Sequence, residues 1–116
     1  MPSTAENLLR LYVQLHNQGV KTGKFEPLAN LFAEDAPVRF EGVAFGPLQG
    51  RAAILNAFHE HPPDDELLID RLRGDDRSAK CEYRWKKQPD TLAGTLRIAI
   101  VDQLIVRMVI TVTESR

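Results

Sequence analysis

Tyr12, His16 and Arg97 are the side chains whose chemistry fits least well with their apolar neighbours. Tyr12 lies on the apolar stripe of a segment with helical spacing. Its phenol could make a hydrogen bond inside a pocket, or it could be an amphipathic core residue whose hydroxyl reaches backbone or water. His16 follows one turn later on the same helix face, and could share that space or sit in the core or at the surface. Arg97 stands between Leu96 and Ile98 in an apolar β-type run. A guanidinium there could clamp a carboxylate through two parallel hydrogen bonds, or pair with a glutamate at a sheet edge or dimer rim. A buried arginine needs an anion, whether from protein or from ligand.

Other candidates carry less. His59 and His61 are two residues apart, so on a helix they point away from each other, and Pro62 follows at once. No Cys or acidic set has zinc-ligand spacing, and no metal or cofactor is expected. Cys81 lies between Ala79 and Tyr83 on the dry side of an alternating strand, where it reads as a small apolar residue. Gly42, Gly46 and Gly50 lack the Gly-Lys-Ser/Thr ending of a phosphate loop.

Bulk properties narrow the function classes. The chain has 116 residues, 43% hydrophobic and 27% charged, with a formal net charge of -1. That fits one globular domain with one core. It gives no basic surface for nucleic acid and no polybasic arm for a membrane. The single cysteine cannot form an intrachain disulfide, so a reducing, cytoplasmic location is the expectation. Met1 to Glu6 does not resemble a signal peptide, and no run approaches the ~18 apolar residues of a spanning helix.

The elements that must position these residues follow from periodicity. Ser3 or Thr4 caps a helix that starts near Ala5, with Ala5, Leu8, Tyr12, Leu15 and Gly19 at helical spacing and Gly19 as the stop. A short helix begins near Pro27, burying Phe25, Leu28, Ala29 and Phe32. A strand covers 36–42, a turn 46–50 and a third helix 51–59, ended by Pro62 and Pro63. Strands then run over 67–72, 79–86, 92–101 and 104–113. Tyr83 and Trp85 lie on a dry face as core or pocket wall. If the last hairpin turns at Asp102-Gln103, residue 97 pairs with 108 and 99 with 106. Arg97 and Met108 then share the concave face. Ile98, Ile100, Ile105 and Val109 fall on the opposite face, which predicts a homodimer through it. Helices first and a meander afterwards is an α+β order.

These features together resemble a known superfamily. They are the Tyr-bearing first helix, the segment Leu31-Phe32-Ala33-Glu34-Asp35-Ala36-Pro37-Val38, the Gly50-Arg51-Ala52-Ala53-Ile54-Leu55-Asn56-Ala57-Phe58 helix and the closing hairpin around Asp102. The chain resembles the nuclear transport factor 2-like superfamily, which includes ketosteroid isomerases and SnoaL-like polyketide cyclases. The resemblance implies a cone-shaped curved antiparallel sheet wrapped by three N-terminal helices around an apolar pocket. It does not carry over the isomerase chemistry, which needs a carboxylate base and a tyrosine paired with a protonated aspartic acid. Tyr12 matches the tyrosine, but the base position falls on Phe40 and the second acid on Arg97. Ketosteroid isomerase activity is therefore not expected. The limonene epoxide hydrolase branch uses an arginine between two aspartates. Arg97 could match that arginine, but its strand-mate is Ala99.

The resulting expectation is a small-molecule binding protein of the SnoaL-like kind. Its ligand would be apolar with a carboxylate or carbonyl, held among Tyr12, Arg97, Phe40, Trp85, Met108 and His16. Two alternatives stay open: a non-catalytic dimeric interaction domain with a filled pocket, and an isomerase, cyclase or hydrolase of unknown substrate.

Overall fold

The computed structural model of the protein describes residues 2–113. Helix α1 spans Thr4–Thr22. Its start is a capping box: Ser3 Oγ accepts from the Glu6 N–H, and Glu6 Oε1 accepts from the Ser3 N–H at 2.8 Å. Its end is Gly23, in the left-handed region with φ 78, not Gly19. Gly19 lies inside the helix and is buried, because the Phe25 ring packs where its Cβ would stand. The chain's stop signal is thus four residues later than periodicity predicts.

One helical turn, α2 (Glu26–Ala29), leads to strand β1 (Pro37–Glu41), the short strand β2 (Leu48–Gln49) and helix α3 (Arg51–Glu60). The β2 segment had read as a turn only. Arg51 secures the start of α3 by donating twice to the Phe32 carbonyl, at 3.0 and 2.7 Å. Phe25 and Phe58 stack at 4.8 Å, joining α2 to α3.

Four long strands follow: β3 (Leu67–Gly74), β4 (Ser78–Trp85), β5 (Gly94–Val101) and β6 (Leu104–Val112). The six strands form one sheet in the order β2-β1-β6-β5-β4-β3. All pairings are antiparallel except β1 with β6, which is parallel. The sheet is therefore mixed, because the chain returns to it after the helices in the same direction as its first strand. Irregularities bend it: one in β3 around Arg71, whose φ is 54, and one in β6.

The irregularity in β6 sets which residues of β5 and β6 share a face. Asp102 and Gln103, both with positive φ, make the expected two-residue turn. Ile100 opposes Ile105 as that turn requires, but Ala99 opposes Arg107 and Ile98 opposes Met108. Val106 is the extra residue, and beyond it the register differs by one from the sequence-based pairing. The concave face accordingly carries Leu96, Ile98, Ile100, Ile105 and Met108, all buried against the helices. Arg97, Val101 and Arg107 are exposed on the convex face. Two expectations are overturned. Arg97 does not face the interior. Ile98, Ile100 and Ile105 are core residues and do not form the surface expected for a homodimer, while Val109, the fourth residue of that set, lies half-buried on the convex side with Arg97.

Candidate apolar cavity under the first helix

A cavity of about 440 Å³ opens between the concave face, α1, α3 and the loop joining β1 to β2. That volume lies in the range of small-molecule sites, ~300–1,000 Å³. Its inner end is formed by Tyr12 and His16 of α1, Tyr83 of β4 and Leu96 of β5, all buried. Phe58, Trp85, Phe40 and Ile110 make the walls. Val43 and Phe45, which are largely exposed, border the outer side together with His61. Among the described residues no Asp, Glu, Lys or Arg lines it.

The aromatic walls hold one another in place. Tyr12 meets Phe32 edge-on at 6.2 Å. The His16 ring stands 6.3 Å from Phe58 and 6.2 Å from Trp85. Tyr83 and Trp85 meet edge-on at 5.8 Å, and Phe40 meets Phe45 the same way at 4.9 Å. Such edge-to-face contacts fix ring orientations as well as burying area.

His16 is oriented through its neighbour. Asn17 is tied to the first residue of β3: its Nδ2 donates to the Leu67 carbonyl at 3.0 Å, and its Oδ1 accepts from the Leu67 N–H at 2.8 Å. The same Oδ1 lies 3.0 Å from His16 Nδ1. Burial lowers the His16 pKa from its ordinary value, against the opposing pull of the Asn17 hydrogen bond and of Glu66 and Asp65. The imidazole is thus neutral at neutral pH. Burial also pushes the Tyr12 phenol far up, and Tyr83 pushes it further, so it stays protonated as a donor. The Cys81 thiol, buried in the core, is pushed up to about 12, which leaves it inert as a nucleophile.

No protein-family model and no curated protein sequence matches the chain. Solved structures do. A nuclear transport factor 2-like protein from Anabaena variabilis ATCC 29413 superposes with a TM-score of 0.73 at 13% identity, covering 97% of this chain and 91% of that one. A protein provisionally named a ketosteroid isomerase, from Kribbella flavida DSM 17836, gives 0.67 at 24% identity, covering 95% and 81%. A computationally designed 17-OHP binder gives 0.67 at 13% identity, covering 95% and 91%. The chain has the nuclear transport factor 2-like fold.

Within this nuclear transport factor 2-like cone the sequence-predicted site residues separate. Tyr12, His16, Phe40 and Trp85 line the cavity. Met108 does not: it is 1% exposed and packed between Val38 and Ile98 in the sheet, as core. Arg97 lies on the other side of the sheet, paired across the strands with Lys80 and Val109. The bulge at Val106 pairs Met108 with Ile98 rather than with Arg97, so the two expected neighbours lie on opposite faces of the sheet. Phe40 presents an aromatic ring to the cavity.

Sequence reasoning missed Phe45 and His61. The signal for Phe45 was present, as an aromatic residue flanked by Gly42 and Gly46 in a loop where solvent exposure would not favour it. His61 follows the last residue of α3. It is exposed, but its ring meets Phe45 at 5.9 Å on the cavity border. His59 points elsewhere, 3.7 Å from Glu26. Among the described residues no three His, Cys, Asp or Glu are placed to hold a metal ion, and no helix is long and apolar enough to cross a membrane.

Proposed function

We propose that the chain binds an uncharged, mainly apolar small molecule in the cavity beneath α1. One observation carries this reading: the cavity is about 440 Å³ in volume and the described residues that line it are aromatic and aliphatic apart from His16 and His61, with no Asp, Glu, Lys or Arg among them. A filled cone would instead have favoured an interaction domain. An apolar ligand gains roughly 25 cal/mol for each Å² it removes from water. A carboxylate would enter without a cation to meet it, and burying an unpaired charge costs several kcal/mol. The carboxylate part of the earlier expectation rested on Arg97 and goes with it. The carbonyl part stays, since the Tyr12 phenol remains a donor.

The fold-level likeness to a designed 17-OHP binder is consistent with a hollow cone of this type holding an apolar guest. Among the described residues that line the cavity there is no Asp or Glu to act as a carboxylate base.

Native mass spectrometry of the purified protein, followed by denaturing extraction, tests the reading. A co-purified neutral molecule is expected. Where the protein elutes empty, calorimetric titration with thymol methyl ether should give saturable binding. An extracted carboxylate or phosphate ligand, or an empty protein that gives no binding heat, would overturn it.

A further inference from the structure

We propose that His16 Nε2 is a hydrogen-bond acceptor inside the cavity, so that the preferred ligand is an apolar alcohol or phenol donating its hydroxyl to that nitrogen. The inference rests on the cavity being a ligand site and adds the polarity of its inner end.

The tautomer of His16 follows from the Asn17 amide. That amide cannot be flipped: Nδ2 faces the Leu67 carbonyl and Oδ1 faces the Leu67 N–H, and reversing them would break both bonds. Oδ1 is therefore an acceptor with a second lone pair, and it lies 3.0 Å from His16 Nδ1. An amide oxygen has no proton to give, so Nδ1 carries the hydrogen. In a neutral imidazole the other nitrogen, Nε2, then holds a free lone pair.

That lone pair is open to the cavity. The His16 residue is only 4% exposed, and its one side-chain hydrogen bond uses Nδ1. Among the described residues no enclosed side-chain nitrogen or oxygen lacks a partner. Nε2 has none among the described residues, so it is not sealed in protein but borders the space that His16 lines. Around it stand Tyr12, Trp85 and Phe58. The phenol and indole are donors to a guest rather than acceptors of its proton, and Phe58 is apolar. Nε2 is therefore the strong acceptor at the inner end, and a ligand hydroxyl is the group that satisfies it.

Acid removes this preference. The titratable groups around His16 are Tyr12 of α1, Tyr83 of β4, and Asp65 and Glu66 just before β3; His61 lies at the outer border, and the facing groups of α3 and Trp85 are uncharged. Protonation puts a hydrogen on Nε2 and turns the acceptor into a donor.

Calorimetry with thymol and thymol methyl ether tests the proposal, because the two share an apolar body but only thymol can donate a proton. The wild-type protein should bind thymol about tenfold more tightly at neutral pH, the effect of one satisfied neutral hydrogen bond. The gap should close in His16→Phe, which keeps a ring against Phe58 and Trp85, and it should close in the wild type on acidification. Nitrogen NMR of the wild-type imidazole should show the Nδ1-protonated tautomer, a readout independent of any variant's folding. Equal affinities for the two probes, a gap that survives His16→Phe, or an Nε2-protonated tautomer would each overturn the acceptor role while leaving the apolar cavity a ligand site. Failure of both probes to bind the wild type would overturn the site itself.

Discussion

Asn17 and Leu67 exchange two hydrogen bonds across 50 residues of chain, at 3.0 and 2.8 Å, and so clamp the middle of α1 to the first residue of β3. An asparagine in a helix commonly competes with its own backbone. Here its amide instead completes the end of a strand and sets the orientation of His16.

Replacing this asparagine tests the clamp. Asn17→Leu keeps the volume but leaves the Leu67 N–H and C=O, both near the buried interior, without their partner. An unsatisfied group of this kind costs about 1–3 kcal/mol. For a domain of this size each kcal/mol lowers Tm by roughly 4–8 °C. A fall of that order is expected in a circular dichroism melt. An unchanged Tm would mean that water replaces the amide at no cost.

Neighbouring positions on β5 should respond in opposite ways. Ile98 is 3% exposed and opposes Met108, while Arg97 is exposed on the convex face. Ile98→Glu puts a carboxylate into the core with no cation nearby and should prevent folding or lower Tm drastically. Arg97→Met should change stability by less than about 0.5 kcal/mol and leave thymol affinity as it was. A folded, monomeric Ile98→Glu protein would show that the face assignment is inverted.

That pair also marks how far the sequence could be read. The helices, the Asp102-Gln103 turn and the placing of Tyr12 and His16 on one face of α1 follow from spacing, because a 3.6-residue period leaves one answer. Strands β5 and β6 are apolar on both faces, so a period of two could not say which face turns inward. The only charged residue between Thr95 and Val101 is Arg97, and weighing it as an outward marker would have given the correct side. The extra residue at Val106 has no sequence signature, since nothing distinguishes a bulged valine from a paired one. Phe45 belongs to a loop, where periodicity gives no information.

Gly19 offers a test in which two known effects oppose each other. A glycine-to-alanine change inside a helix normally stabilises by roughly 0.5–1 kcal/mol. At this position the new Cβ would overlap the Phe25 ring, which is itself stacked on Phe58 at 4.8 Å. Overpacking of a fixed ring costs about 1–3 kcal/mol, so the clash outweighs the helix gain. Gly19→Ala should lower Tm, and Gly19→Ala combined with Phe25→Leu should recover part of the loss. A rise in Tm for the single variant would show that Phe25 moves freely.

The buried imidazole should leave a signature in the pH dependence of stability. In the unfolded chain His16 titrates near the ordinary value of about 6.5. In the folded protein burial sets its pKa lower, with the Asn17 bond, Glu66 and Asp65 opposing that shift. Between the two values the unfolded chain binds the proton and the folded chain does not. Stability contributed by the neutral imidazole is therefore complete above about pH 6.5, declines as pH falls through that value, and levels off once the folded imidazole also titrates. His16→Phe has no proton to bind in either state. Between about pH 7.5 and about pH 5, the wild-type Tm should fall more steeply than that of His16→Phe. His59 and His61 are exposed and common to both proteins, so the difference between the two curves isolates His16. Parallel curves, or a steeper fall in the variant, would show that the imidazole is already charged in the fold.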